Sequence, residues 1–198
     1  MPSESPLNPE RILEVTEELL RRFGPDKTNV VDVARELRVS HGSVYRHFPS
    51  KLDLRDGVVA RWLGRISGPL AEIVEVDGLA SDRLRLWLMT LITTKRTLAQ
   101  SDPALFATYV QLAGGSRVVV RAHVSHLMDQ VAAILRDGIR GQEFVPTDDQ
   151  STARAILDST SRFHHPAHAG EWTDPHIDQD FEAVWRLIIR GLESTRDK

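Results

Sequence analysis

Residues Thr28–Lys51, TNVVDVARELRVSHGSVYRHFPSK, decide the fold. Val30, Val33, Ala34 and Leu37 recur at the spacing that lines one face of an α-helix, and Thr28 stands where its hydroxyl would accept a first-turn backbone N–H. Val39-Ser40 interrupts that pattern. Ser40 is placed to cap a second short helix, predicted over His41 to Phe48, with Val44 and Phe48 four apart as its narrow buried edge. His41, Ser43, Arg46 and His47, with the Tyr45 hydroxyl, are left facing outward. Two short helices joined by a tight turn, the second rich in hydrogen-bonding groups, describe a helix-turn-helix. Its second helix is of the kind that enters a DNA major groove.

Within that helix the side chains divide by chemistry. Ser43, Tyr45 and Lys51 suit phosphate oxygens, with two hydroxyls and a cation at the start of the next helix. His41, Arg46 and His47 carry donors or acceptors toward base edges, and Gly42 lets the backbone approach closely. A net charge of −3 does not exclude a nucleic-acid partner, because binding depends on where the positive charge sits. Arg35, Arg38, Arg46, Lys51, Arg55, Arg61 and Arg65 lie in or just after the motif, against Glu36, Asp53 and Asp56.

Outward from the motif, the rest of the 198 residues reads as helix. Met1 to Asn8, with two prolines, reads as a disordered arm. Asn8-Pro9 opens a first helix that Gly24-Pro25 ends, bracing the motif into a three-helix domain. Lys51 to about Gly68 forms a fourth helix, with Leu54, Val58, Trp62 and Ile66 on one side, and Pro69 to Gly78 either continues it after a kink or forms a loop plus a short helical piece. Apolar periodicity then predicts helices over Ser81–Ala99, Pro103–Leu112, Ser116–Gly138, Thr147–Phe163 and from Pro175 to the end. The chain is all-α, with about nine helices, no strand pattern and no repeat. Hydrophobic content of 41% against 27% charged supports a sizeable core. The sequence holds no cysteine, so disulfides and thiolate metal sites are excluded. No apolar run approaches the ~20 residues that span a bilayer and no signal peptide follows Met1, which predicts a cytoplasmic chain without a membrane partner.

The run VARELRVSHGSVYRHFPSKLDL resembles the N-terminal domain of the tetracycline-repressor (TetR) family of bacterial transcription regulators. The shared positions are Val33-Ala34, Val39-Ser40, Gly42-Ser43, Tyr45 to Phe48, and Lys51. Arg38 departs from the pattern, standing where the family usually has Gly or another turn former. The resemblance implies that residues 8–52 bind operator DNA, with Thr28 and Tyr45 on phosphates and His47 at the groove surface, and that residues 53–198 bind an effector and dimerise. It further implies a homodimer on a palindromic operator, a repressor rather than an enzyme, and an interface in the final helices. Phe163 and the wide stripe of Phe181, Val184, Trp185, Ile188 and Leu192 are the candidates for that interface; covering the protomer's own core is the competing role. Effector should bind beside the Lys51–Gly68 helix, taken as the one covalent link between reader and sensor. Trp62, Trp87, Phe106, Tyr109, Leu112 and His123 are the expected pocket wall, joined by His164 and His168.

The run Phe163-His164-His165-Pro166-Ala167-His168 leaves alternatives open. His164 and His168, four apart, share a face if the helix is continuous, and with His123 they could hold zinc or nickel in a metal sensor or a metal-dependent enzyme. Pro166 disfavours helix at His165, so the imidazoles could instead line a small-molecule pocket or bond to backbone, Asp158 and Glu171. Against catalysis, the chain carries no HExxH, nucleophile elbow or Gly-rich phosphate loop.

Overall fold

The computed structural model describes residues 7–193, so the arm predicted at the N-terminus lies, up to Pro6, outside the described residues. Ten α-helices follow in chain order: α1 Pro9–Lys27, α2 Val30–Glu36, α3 His41–Tyr45, α4 Lys51–Val74, α5 Ala80–Ser101, α6 Pro103–Gly115, α7 Arg117–Arg140, α8 Asp149–Ser159, α9 Ser161–His164 and α10 Ile177–Leu192. One 3-10 helix, Pro166–Glu171, separates the last two. Among the described residues the extended backbone pairs once, in an isolated antiparallel bridge between Phe144 and Glu193. The all-α class is therefore as predicted.

The helix count exceeds nine because the predicted Thr147–Phe163 helix is interrupted. Thr160 turns its hydroxyl onto the Ile156 carbonyl (2.8 Å) and leaves helical geometry at ψ 2°, and Pro166 then opens the 3-10 turn. The opposite happens in α4, which continues through Pro69 to Val74. A proline inside a helix costs about 3 kcal/mol, and here the added turn buries Leu70 completely and Ile73 almost so. Gly24-Pro25 ends the long helical run of α1 as predicted: Gly24 leaves helical geometry at φ 76°, and a separate turn after it runs to Lys27.

The chain divides into two compact units. One holds the residues up to Gly64 together with Asp102–Arg121; the other holds Arg65–Ser101 and the residues from Ala122 on. The chain thus crosses between them three times, within α4, between α5 and α6, and within α7. The expectation that α4 is the one covalent connection is corrected by this topology.

In the first unit α1 packs on α2 and α6. Asn8 caps α1 by accepting from the Arg11 N–H (2.8 Å), and Ile12, Leu13, Val15, Leu19 and Leu20 are buried along one face. Arg61 on α4 reaches back to Glu10 (2.7 Å), Glu14 and Glu17 on α1, and donates to the Glu10 carbonyl (3.1 Å). Asp102 caps α6 and also pairs with Arg21 at 3.1 Å. Trp62 stacks on Tyr109 with ring centroids 4.6 Å apart and meets Phe106 edge-on.

In the second unit α5, α7 and α8 contribute Leu84, Trp87, Leu88, Leu91, Val131, Ile134, Leu135 and Ala153 to a core from which solvent is wholly excluded. Glu143, in the α7–α8 loop, caps α5 from a distance, accepting from the Ala80 and Ser81 N–H groups at 2.6 and 2.8 Å. Burial pushes its carboxyl up, but the Ser81 and Ala80 hydrogen bonds and the Arg83 guanidinium outweigh that and hold it below the usual carboxylate range. Gly138 permits this corner, since a Cβ there would lie 2.2 Å from the Phe144 ring. By length and mean hydropathy (1.2), α7 is long and apolar enough to cross a membrane, which the sequence pattern did not anticipate. Its apolar face, Leu127, Val131, Ile134 and Leu135, is buried within this unit.

Candidate nucleic-acid interface

α2 and α3 are held by complementary local chemistry. Asn29, not Thr28, caps α2: its Oδ1 accepts from the Val31 and Asp32 N–H groups while Asp32 accepts in return from the Asn29 N–H, a reciprocal capping box. Thr28 is buried and donates its hydroxyl to the Gly24 carbonyl at 2.8 Å. The turn after α2 places Arg38 at φ 56°, in the left-handed region, where the Val39 N–H closes onto the Ala34 carbonyl (3.0 Å). A glycine would take that conformation without strain; Arg38 bears about 1 kcal/mol to hold it.

Ser40 caps α3 as predicted, its Oγ accepting from the Ser43 N–H at 3.2 Å. α3 is shorter than predicted, ending at Tyr45, but both predicted buried positions hold. Val44 is fully buried and Phe48 nearly so. Phe48 anchors the end of the helix against α4, so closely that a Cβ on Gly57 would lie 2.8 Å from its ring. What remains outside is the polar set. His41, Gly42, Tyr45, Arg46, His47 and Lys51 are exposed and Ser43 is half-buried. Tyr45 is 44% exposed, well above what a packing tyrosine would show.

The positive charge near the motif is sorted by its partners. Arg35 pairs with Asp32, Arg55 donates to the Pro25 carbonyl, and Arg61 is occupied by the three glutamates of α1. Arg38 and Lys51 have no partner among the described residues, and Arg46 makes only contacts of 3.5 Å within its own turn. The cations free to meet a polyanion therefore lie on or beside α3.

The expected pocket wall falls into two groups. Trp62, Phe106, Tyr109 and Leu112 belong to the first unit and are buried there; Trp87, His123, His164 and His168 belong to the second. Trp87 donates its Nε1–H to Gln130 (2.9 Å), whose amide contacts His126 and the Ser67 carbonyl. The shared helical face proposed for His164 and His168 is corrected by the break at Pro166. His164 is buried, whereas His168 is exposed and bonded to Glu171 at 2.8 Å. His165 caps the 3-10 helix by accepting from the Ala167 N–H. Among the described residues no group of three or more His, Asp or Glu side chains is arranged to hold a metal ion, and the zinc or nickel reading has no geometric support.

A residue that the sequence pattern missed stands beside the two inward histidines. Lys95 is 8% exposed and has no carboxylate or hydrogen-bond partner among the described residues; burial lowers its pKa to about 8. Burial, with the Lys95 charge second, lowers His123 to about 4 and His164 to about 3. The His123 Nε2 is shut off from solvent without a partner. The available signal was positional: Leu84, Leu88, Leu91 and Lys95 continue one helical stripe, so the lysine occupies a core position.

The expected interface residues also divide. Phe163, Phe181, Trp185 and Leu192 are buried in the core of their own unit, with Phe163 and Phe181 in edge-to-face contact at 5.4 Å. That matches the competing role. Val184 and Ile188 are half-buried and Leu187 is 71% exposed.

Comparison with known proteins supports the same architecture over the whole length. The nucleoid occlusion factor SlmA of Vibrio atlanticus (strain LGP32) is 23% identical over 200 residues, covering 93% of this chain and 95% of SlmA. A Rhodococcus sp. RHA1 protein of unknown function superposes with a TM-score of 0.70 at 23% identity, covering 98% of this chain and all of that one. The transcriptional regulator FadR of Bacillus subtilis, solved in complex with stearoyl-CoA, gives 0.66 at 18% identity over 93% of this chain and 99% of its own. Residues 12–58 match the profile of the bacterial regulatory proteins of the tetR family, and residues 80–185 match the tetracyclin repressor-like C-terminal domain. With a helix-turn-helix built as α2–α3 and both profiles matched in order, this chain belongs to the TetR family of DNA-binding regulators.

Proposed function

We propose that the protein is a cytoplasmic transcriptional repressor that binds a palindromic operator as a homodimer and lets go of it when a small molecule occupies the second unit. The observation that carries this reading is the outward set on α3. His41, on α3, and Arg46 and His47, in the turn that ends it, are exposed on the side opposite buried Val44 and Phe48, with Tyr45 and Lys51 beside them. Residues 8–52 act as the reader and 53–198 as the effector-binding and dimerising part. Tyr45, Ser43 and Lys51 set the register on phosphates, while His41, Arg46 and His47 read bases across the opening that Gly42 leaves. Thr28 supports this surface from within through Gly24. For the dimer, the half-buried Val184 and Ile188 and the exposed Leu187 are the contact face, and Trp185, Phe181, Phe163 and Leu192 stiffen it from behind. A two-fold dimer places its recognition helices about 34–36 Å apart or in phase with that repeat.

The test is a mobility-shift series on an operator selected from random DNA. Lys51→Ala and Tyr45→Phe weaken binding to every sequence, and Lys51→Ala lowers the salt slope by about 1. Arg46→Ala and His41→Ala relax base preference instead. Unchanged affinity and preference in all four variants would refute the assignment of α3. Leu187→Asp yields monomers in light scattering; a dimer that persists places the interface elsewhere.

A further inference from the structure

Lys95 is the only buried lysine or arginine among the described residues, and no carboxylate there neutralises it. An unpaired buried ammonium destabilises the free protein, so its place in the core calls for a compensating anion. Its charge acts on His123 of α7, on His164 of α9 and on His165 just after it. α5 packs directly against α9 there. His123 offers an Nε2 that is dry and unbonded, whereas His164 is held by the Leu157 backbone carbonyl and by Thr160, at 3.3 Å. The turns of α5 just before Lys95 carry Leu88, Leu91 and Ile92, all buried.

We propose that Lys95, with the unbonded Nε2 of His123 beside it, anchors the carboxylate of a small organic acid whose apolar body lies among the aliphatic side chains of the second unit. This acid is the effector of the repressor described above, and the inference rests on that reading. The stoichiometry of charge selects the class. One ammonium balances one carboxylate, and the Lys95 ammonium with the unbonded His123 Nε2 supplies an N–H to each of its two oxygens. A phosphate dianion would bring a second charge with no cation to meet it, and a cationic ligand would be repelled. The site is distinct from Arg83 and Arg96, whose charges are already met by Asp137 and Asp178.

The pH behaviour follows from the groups around the site. Lys95 titrates at about 8, so acid binding weakens as the pH rises from about 7 to about 9. His123 and His164 stay neutral over that span because burial holds them at about 4 and about 3, and His165 is also held below its ordinary value. His126, the remaining imidazole on this face of α7, is bonded to Gln130.

The experiment uses the full chain with octanoate and naphthoate as probes and octanamide and naphthamide as neutral matches. At least one acid should raise the melting temperature in proportion to its concentration while its amide does not. Lys95→Met should weaken that acid by about tenfold or more. Neither acid binding, or equal binding by Lys95→Met, overturns the site. Because Lys95→Met removes an unpaired buried charge, the variant folds at least as well as the parent. An independent check is proton NMR of the free protein, where His123 and His164 should titrate at higher pH in Lys95→Met; unmoved signals overturn the shared site. Operator binding measured beside these tests separates the two claims. DNA binding without acid binding overturns the anion site and leaves the DNA reading standing. Acid binding through Lys95 that leaves operator affinity unchanged overturns the effector role.

Discussion

The two units of this protein handle unpaired polar side chains in opposite ways. On α3 and in the turn that follows it to Lys51, His41, Arg46, His47 and Lys51 are exposed and without a strong partner, and water satisfies them until another polar surface replaces it. In the second unit Lys95 is unpaired and largely buried, and the His123 Nε2 is unpaired and shut off from water. The first arrangement is inexpensive and leaves stability to Val44 and Phe48 beneath it. The second destabilises the empty protein and is relieved only by a partner that fits. A surface reader and an interior sensor are thus distinguished by where their unmet hydrogen bonds lie, before any ligand is identified.

Three measurements sharpen or break that contrast. The largest effect is expected in the support of the reader. Phe48→Ala removes a ring wedged beside Gly57 and Leu13, costs about 3–5 kcal/mol in denaturant unfolding, and weakens DNA binding with it. Weak binding with undiminished stability would mean that Phe48 does not anchor α3.

Next is the cost of the buried lysine. Its folded pKa, about 8, lies below the ordinary lysine value of 10.5, so the unfolded chain binds more protons between those values and stability rises with pH across that window. The penalty is complete below about pH 8 and is relieved by about pH 10.5, a gain on the order of 3 kcal/mol. Lys95→Met should lack this gain, so the difference between the two unfolding curves isolates it. Parallel curves from pH 8 to 10.5 would show that Lys95 is solvated after all.

The smallest effect concerns the turn. Arg38→Gly relieves the left-handed backbone at φ 56° and should stabilise the protein by about 1 kcal/mol or less, because glycine also loosens the unfolded chain. If it destabilises, the Arg38 side chain does more for the fold than its exposure suggests.

The helix-turn-helix was legible because its determinants are local. Helical spacing, the Ser40 cap and the outward polar set each depend on residues within one or two turns, and so does the positive φ at Arg38. The same local logic missed Asn29 as the α2 cap, since Thr28 and Asn29 are both good cap residues. Their roles are separated only by the Thr28 bond to Gly24 and the capping box with Asp32.

Composition, periodicity and capping residues by themselves determined an all-α chain, the places where most helices begin, and which side of α3 is polar. Tertiary structure alone decided the rest. It carried α4 through Pro69, because burial of Leu70 and Ile73 outweighs the lost helical hydrogen bond. It sent Phe163, Phe181, Trp185 and Leu192 into their own core, although a stripe on a helix looks the same whether it faces that core or a second copy. It assigned α6 to the unit that holds the reader, a grouping with no signature in the intervening sequence. And it set Lys95 among groups that neither share its helix nor lie near it in sequence, because burial and electric field depend on distance in space.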